Sequence, residues 1–247
     1  MQQSEMERRI VSEREFHDRR YVDGDNRVAQ LKYYWSIDAG SRRFLAQMKE
    51  FATNSDVLEY GCGSESRAGE LEGLYRSFTG IDISDVAIAR LKERYPATNV
   101  SFSIMDAMNM TFADRSFDLI YGSGIVHHLD IDTCAREVSR VLRSGGRALF
   151  WEPLGYNPLI NIYRWLTPGA RTADEHPLVG HDFSVMKQHF RSVEIELYGL
   201  TSIAAVPIQR FVFGESMRDL FARIDNLLLK VPGVRMLAWY SIIRCTN

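Results

Sequence analysis

Two glycines and three acids fall where a nucleoside ligand would be held. In VLEYGCGSES, residues 57–66, an apolar run passes straight into Gly61-Cys62-Gly63. Glycine adopts backbone conformations closed to other residues and lets the chain approach a ligand closely. Asp82 ends the next apolar run, FTGID, and Ile83 follows it. An acid in that place accepts hydrogen bonds from ribose hydroxyls. Asp106 ends a third run, VSFSIMD, where it can accept from an adenine amino group while Met105 or Ala107 packs on the ring. Glu59, just before the glycines, suits a cationic group of a ligand. Together these residues describe an adenosine cradle.

The chemistry beyond the adenosine is set by what the glycine turn lacks. A dinucleotide fold uses three glycines and a helix start to carry a pyrophosphate. Here the series reads Gly61, Gly63, Ser66, with Glu65 inside the loop, and a carboxylate there repels phosphates. S-adenosylmethionine, a sulfonium amino acid on an adenosine, carries no such phosphates and suits the loop better. A nicotinamide dinucleotide, and hence an oxidoreductase, is the competing tenant.

Alternating apolar runs and helical periods position these residues. Strands are predicted at 57–60, 78–82, 100–106, 116–122 and 146–153, with helices at 83–95, capped by Ser84, and 132–142. The connections have the length of crossovers, so the predicted fold class is α/β: a doubly wound, Rossmann-like, mostly parallel sheet. The glycine turn is expected to open a helix with free N–H groups. A helix at 183–190, a strand at 192–199, a helical insertion over 214–231 and a final strand at 238–245 complete the pattern. Before the core lies an arm, residues 1–52, with a helix at 38–51 that Asp38 would cap. The domain reading is therefore arm 1–52 and catalytic domain 53–247, with insertions at about 154–181 and 207–235.

At this point the chain resembles the class I S-adenosylmethionine-dependent methyltransferases. The motifs that carry the resemblance are VLEYGCG at 57–63, GIDIS at 80–84, MDAMNMTFADRSFDLIYGSGIVHHL at 105–129 and VSRVLRSGGRALFWEP at 138–153. It implies a seven-stranded sheet with the last strand antiparallel. It also implies Glu59 near the methionine amino group, Gly61 and Gly63 under the cofactor and Asp82 on the ribose. Asp106 and Ala107 would lie beside the adenine, and Gly122 near the methionine end. The family's further glycine is absent at Glu65 and Ser66. The segment 152–178 is similar to bacterial enzymes acting on quinone-like, polyketide, isoprenoid and other secondary-metabolite substrates.

Methyl transfer is an in-line displacement at a carbon that the sulfonium already activates. It needs alignment and exclusion of water, no metal by necessity, and in some cases a general base. His128 and its neighbour His127 follow the fourth strand, Glu152 ends the fifth, and His176 lies in the insertion. These are the candidate catalytic groups. Each has a purely structural alternative: a turn-fixing hydrogen bond for the histidine pair, a salt bridge to Arg164 or Arg171 for Glu152, and anchoring of the insertion for His176 and His181. Phe16, Tyr21, Tyr33, Tyr34 and Trp35 of the arm, with Ile160, Tyr163 and Trp165, offer an apolar wall for a partly apolar small molecule. The acceptor is expected to react through oxygen or carbon. A catalytically silent cofactor-binding protein is the other alternative.

Composition narrows the partners. The 247 residues are 45% hydrophobic and 25% charged, with a formal charge of −2. That suits one sizeable core and gives no broad nucleic-acid surface. The chain lacks an NPPY-type tetrapeptide after the fourth strand, where GSGI stands instead. No integral membrane segment is expected, and no signal-peptide core. Cys62, Cys134 and Cys245 are scattered, so the setting expected is a reducing cytoplasm. Segment 203–213, IAAVPIQRFVF, with the helix after it, could line a pocket, pair two subunits or touch a membrane surface, and a homodimer contact is the favoured reading.

Overall fold

In the computed structural model, residues 8, 11–19, 28–167 and 175–247 are described. They form a seven-stranded sheet in the order β3-β2-β1-β4-β5-β7-β6. The strands are β1 (Asp56–Tyr60), β2 (Ser77–Asp82), β3 (Val100–Ile104), β4 (Phe117–Ser123), β5 (Leu142–Pro153), β6 (Ser192–Tyr198) and β7 (Tyr240–Thr246). The β1–β5 pairings are parallel, while β7 runs antiparallel between β5 and β6, as expected for the last strand. Order reverses at β1, whose neighbours are β2 and β4, and open sheets hold ligands outside the strand ends at that point.

Strand β1 shows why the centre of the sheet reads as an unbroken apolar run. Val57, Leu58, Glu59 and Tyr60 are all buried, because helices cover both faces. On one face lie α3 (Asp38–Ala52), through Phe44, Met48 and Ala52, and α4 (Asp85–Arg94), through Ile88 and Leu91. On the other lie α5 (Ile131–Val141), through Cys134, Ala135 and Val138, and α7 (Gly180–His189), through Met186. Ser84 caps α4 as expected, its hydroxyl accepting from the Ala87 N–H at 3.1 Å. Asp38 does not cap α3. It is the first helical residue, and its carboxylate pairs with Arg42 at 2.6 Å. The remaining helices are α1 (11–19) and α2 (Val28–Ser36) in the arm, α6 (Pro158–Leu166) after β5, and α8 (Gly214–Leu228) before β7.

One expected element is missing. No α-helix follows the glycine turn, and a single short helical turn, Ala68–Leu71, lies between β1 and β2. The reason is local. The Glu59 carboxylate accepts from the Ser66 hydroxyl at 2.5 Å and from the Arg67 N–H at 3.2 Å. A buried side chain thus takes the donors that a helix start would have presented.

Candidate active site

The carboxyl ends of β1, β2 and β3 and the turn after β4 enclose a cavity of about 280 Å³. Gly61, Gly63, Asp82, Ile83, Asp106, Ala107 and His128 all line it, so seven of the residues singled out in the sequence meet in one place. Each is delivered by a strand end. Asp82 closes β2, and its carboxylate accepts from the Gly63 N–H at 2.8 Å and the Ser84 N–H at 2.9 Å. It therefore ties the glycine turn to the start of α4, and burial raises its pKa. Asp106 accepts from the Met108 N–H at 2.8 Å. Between the two acids the wall is apolar, formed by Ile83, Met105, Ala107 and Leu129. Two acids flanking an apolar slot suit a ribose and a purine.

Gly61 has a φ of +70°, and a Cβ there would stand 2.7 Å from the Ile125 side chain. Gly61→Ala is expected to cost about 1–3 kcal/mol through backbone strain and overpacking. It should lower the melting temperature and weaken adenosyl ligands together, as thermal unfolding and calorimetry would show.

Two predicted cofactor residues lie outside the cavity lining. Glu59 sits beneath the glycine loop with the partners given above. Gly122 is packed against its neighbours, and a Cβ there would meet the Ile125 side chain at 2.7 Å and the Tyr60 carbonyl at 2.9 Å. Burial pushes the Glu59 carboxyl up to about 7 against the pull of Ser66 and Arg67. Its pKa is higher in the folded than in the unfolded chain, so folding takes up a proton between the two values. Stability present below about pH 4.5 is lost as the pH rises to about 7. Glu59→Gln should flatten that slope by roughly 3 kcal/mol in denaturant titrations across the window.

The catalytic candidates are distributed differently from expectation. Glu152 is fully buried and does not face the insertion. One of its oxygens accepts from the Ile125 and Val126 N–H groups, each at 3.0 Å, and the other lies 2.7 Å from His127 Nδ1. It thus holds the turn after β4 from below. Arg164 bonds the Leu154 carbonyl and Asn161 instead of Glu152, and Arg171 lies outside the described residues, as does Tyr21. The exposed His176 donates its backbone N–H to the His127 carbonyl at 3.0 Å, which pins the insertion to that turn. Of the four candidates, His128 lines the cavity.

Residues not singled out in the sequence complete the site. Helix α1 brings Glu13 and His17 to the cavity, and Asp18 bonds the Ser84 hydroxyl. Glu13 lies 3.6 Å from His128 Nδ1 and 3.5 Å from His17 Nε2. The i,i+4 spacing of Glu13 and His17 was the one available signal, and it marks a helix face without saying what the face covers. Ser123 and Gly124 border both this cavity and a second one of about 380 Å³. Tyr34 and Trp35 of the arm, Trp151 of β5 and Tyr240 of β7 line the second chamber.

Glu65 corrects part of the case against a dinucleotide. Its side chain is 83% exposed and pairs with Arg94 at 3.2 Å, so its repulsion of a phosphate is screened. The missing helix after β1 is the stronger obstacle, because it leaves no helix N-terminus for a pyrophosphate.

Residues 58–150 match a family model described as a methyltransferase domain. The chain is 34% identical over 113 residues to the O-methyltransferase cnsE of Penicillium expansum, covering 43% of this chain and 41% of that one. It is 35% identical over 130 residues to the methyltransferase GfsG of Streptomyces halstedii, covering 46% and 47%. The chain thus spans less than half the length of these curated relatives. The N-methyltransferase NodS of Bradyrhizobium japonicum, solved with S-adenosylhomocysteine, shares the fold at a TM-score of 0.53 and 17% identity, over 83% of this chain and 86% of that one. Sheet order and family match agree: residues 58–150 form a methyltransferase domain.

Proposed function

We propose that the chain transfers a methyl group from S-adenosylmethionine to an oxygen or carbon of a small, partly apolar metabolite. The observation that carries this reading is the pair of chambers sharing Ser123 and Gly124. One holds the acid–apolar–acid wall and the other is aromatic. When bound, S-adenosylmethionine supplies a methyl already activated by sulfonium. Asp82 accepts from the ribose hydroxyls, and Asp106 and Ala107 border the adenine. The shared wall at Ser123–Gly124 sets where an acceptor meets the methyl. Tyr34, Trp35, Trp151 and Tyr240 exclude water and hold apolar surface.

Glu152 acts as a positioning residue, and His128 is the candidate that touches the reacting end. Tyr34, Trp35, Ile37, Asp38 and Ser41 border the acceptor chamber, which supports the described part of the arm as its cap. Phe211, Val212 and Phe213 are exposed, which supports 203–213 as the contact of a homodimer. Among the described residues no helix is long and apolar enough to cross a membrane.

The test is release of S-adenosylhomocysteine across panels of quinone-like, polyketide-like and isoprenoid acceptors. Acceptor-dependent release, lowered at least about tenfold in kcat/KM by His128→Gln, is expected. Binding of S-adenosylmethionine with no product from any panel would favour the catalytically silent reading. The sequestered Glu152 carboxylate is the feature that keeps that second reading in view.

A further inference from the structure

We propose that His127, His128 and Glu175 form a binding site for a divalent transition-metal ion of the zinc type. The site clamps the insertion onto the turn after β4. The proposal shares His128 with the cofactor cavity, but metal binding is read without turnover, so its failure and that of the methyl-transfer reading are distinguishable.

One ring nitrogen from each histidine and one Glu175 oxygen all lie within 4.8 Å of one another. The two imidazoles are held together, their ring centres 4.2 Å apart. His127 is oriented as a ligand would be. Its Nδ1 lies 2.7 Å from the fully buried Glu152 carboxylate, which accepts a hydrogen bond from Nδ1–H and so leaves the lone pair on Nε2. A carboxylate behind the histidine fixes tautomer and ring angle at metal sites. His127 Nε2 then faces Glu175 Oε1 at 3.8 Å, too far for a hydrogen bond. Two ligand atoms sharing one tetrahedral zinc-sized ion stand about 3.4 Å apart, so the gap is close to the one an ion would span. Glu13, 3.6 Å from His128 Nδ1, is beyond hydrogen-bond distance and adds negative charge beside the second imidazole.

The donor set selects the metal. Two imidazole nitrogens and one carboxylate oxygen suit zinc, cobalt, nickel or iron(II), whereas magnesium and calcium take oxygen ligands. Position supplies the consequence. His127 and His128 belong to the turn bordering the cofactor cavity, and Glu175 belongs to the segment whose next residue, His176, already bonds the His127 carbonyl. An ion here would add a cross-link between that turn and the insertion.

The test uses the full chain, stripped with a chelator and titrated with Co²⁺ and then Zn²⁺ in metal-free buffer. One equivalent of Co²⁺ is expected to give visible absorption bands that Zn²⁺ abolishes. Zn²⁺ should raise the unfolding midpoint while Mg²⁺ at the same concentration leaves it unchanged. Glu175→Gln and His128→Gln, checked for native circular dichroism, should each weaken Co²⁺ binding at least about tenfold. Because Glu175 lies on a loop, its variant keeps the test valid if a histidine variant fails to fold. Absence of both the bands and the thermal shift would overturn the proposal. So would unchanged Co²⁺ affinity in the Glu175 variant, which would place the ion elsewhere.

Discussion

Replacing Asp82 with alanine is expected to weaken binding of S-adenosylhomocysteine at least about 100-fold. The estimate comes from two hydrogen bonds to a charged acceptor at about 1.5–3 kcal/mol each, and about 2.7 kcal/mol corresponds to 100-fold. The same carboxylate ties the Gly63 and Ser84 N–H groups, so alanine also loosens the glycine turn. Asp82→Asn separates the two contributions. It keeps the shape and one acceptor oxygen, and should bind at a level between the wild type and the alanine variant. Calorimetric titration of all three proteins, with circular dichroism to confirm folding, checks the order. Equal affinity in all three would remove Asp82 from the site.

The second large effect is on stability. Glu152→Ala leaves the Ile125 and Val126 N–H groups and the His127 ring buried without their acceptor. Leaving three buried donors without an acceptor costs about 3–5 kcal/mol in all, or a fall of about 10 °C in melting temperature for a chain of this size. Glu152→Gln keeps the volume and one acceptor oxygen, but its amide nitrogen would face His127 Nδ1, so partial loss is expected. Thermal unfolding measures both. An Ala variant with wild-type stability and no turnover would instead return Glu152 to a chemical role.

Those two residues also show what was legible in the sequence. The strands were legible because the middle of the sheet is covered on both faces, so β1, β2 and β4 read as apolar runs closed by glycine or acid. Asp82 was legible because it closes β2, next to the strand where the sheet order reverses, and Asp106 because it follows the apolar run of β3 within two residues. Glu152 was placed correctly at the end of β5 and assigned the wrong neighbours. Sequence spacing shows where a strand ends, but not which backbone N–H groups from a separate turn will meet its last carboxylate. The β1–β2 connection was misread because the Glu59 contacts that displace the helix start reach seven and eight residues along the chain, beyond any capping pattern. Helix α1 was missed as a wall of the cavity because nothing local in Glu13 or His17 reveals the strand ends they cover.

The central claim is that the cavity between Gly61 and Asp106 takes an adenosine joined to a sulfonium amino acid. Its most direct test is calorimetric titration of the full chain with S-adenosylmethionine, S-adenosylhomocysteine and a nicotinamide dinucleotide side by side. One-to-one binding of the two adenosyl ligands at about micromolar Kd, with the dinucleotide at least tenfold weaker, is predicted. Tight binding of the dinucleotide to protein that takes up neither adenosyl ligand would contradict it.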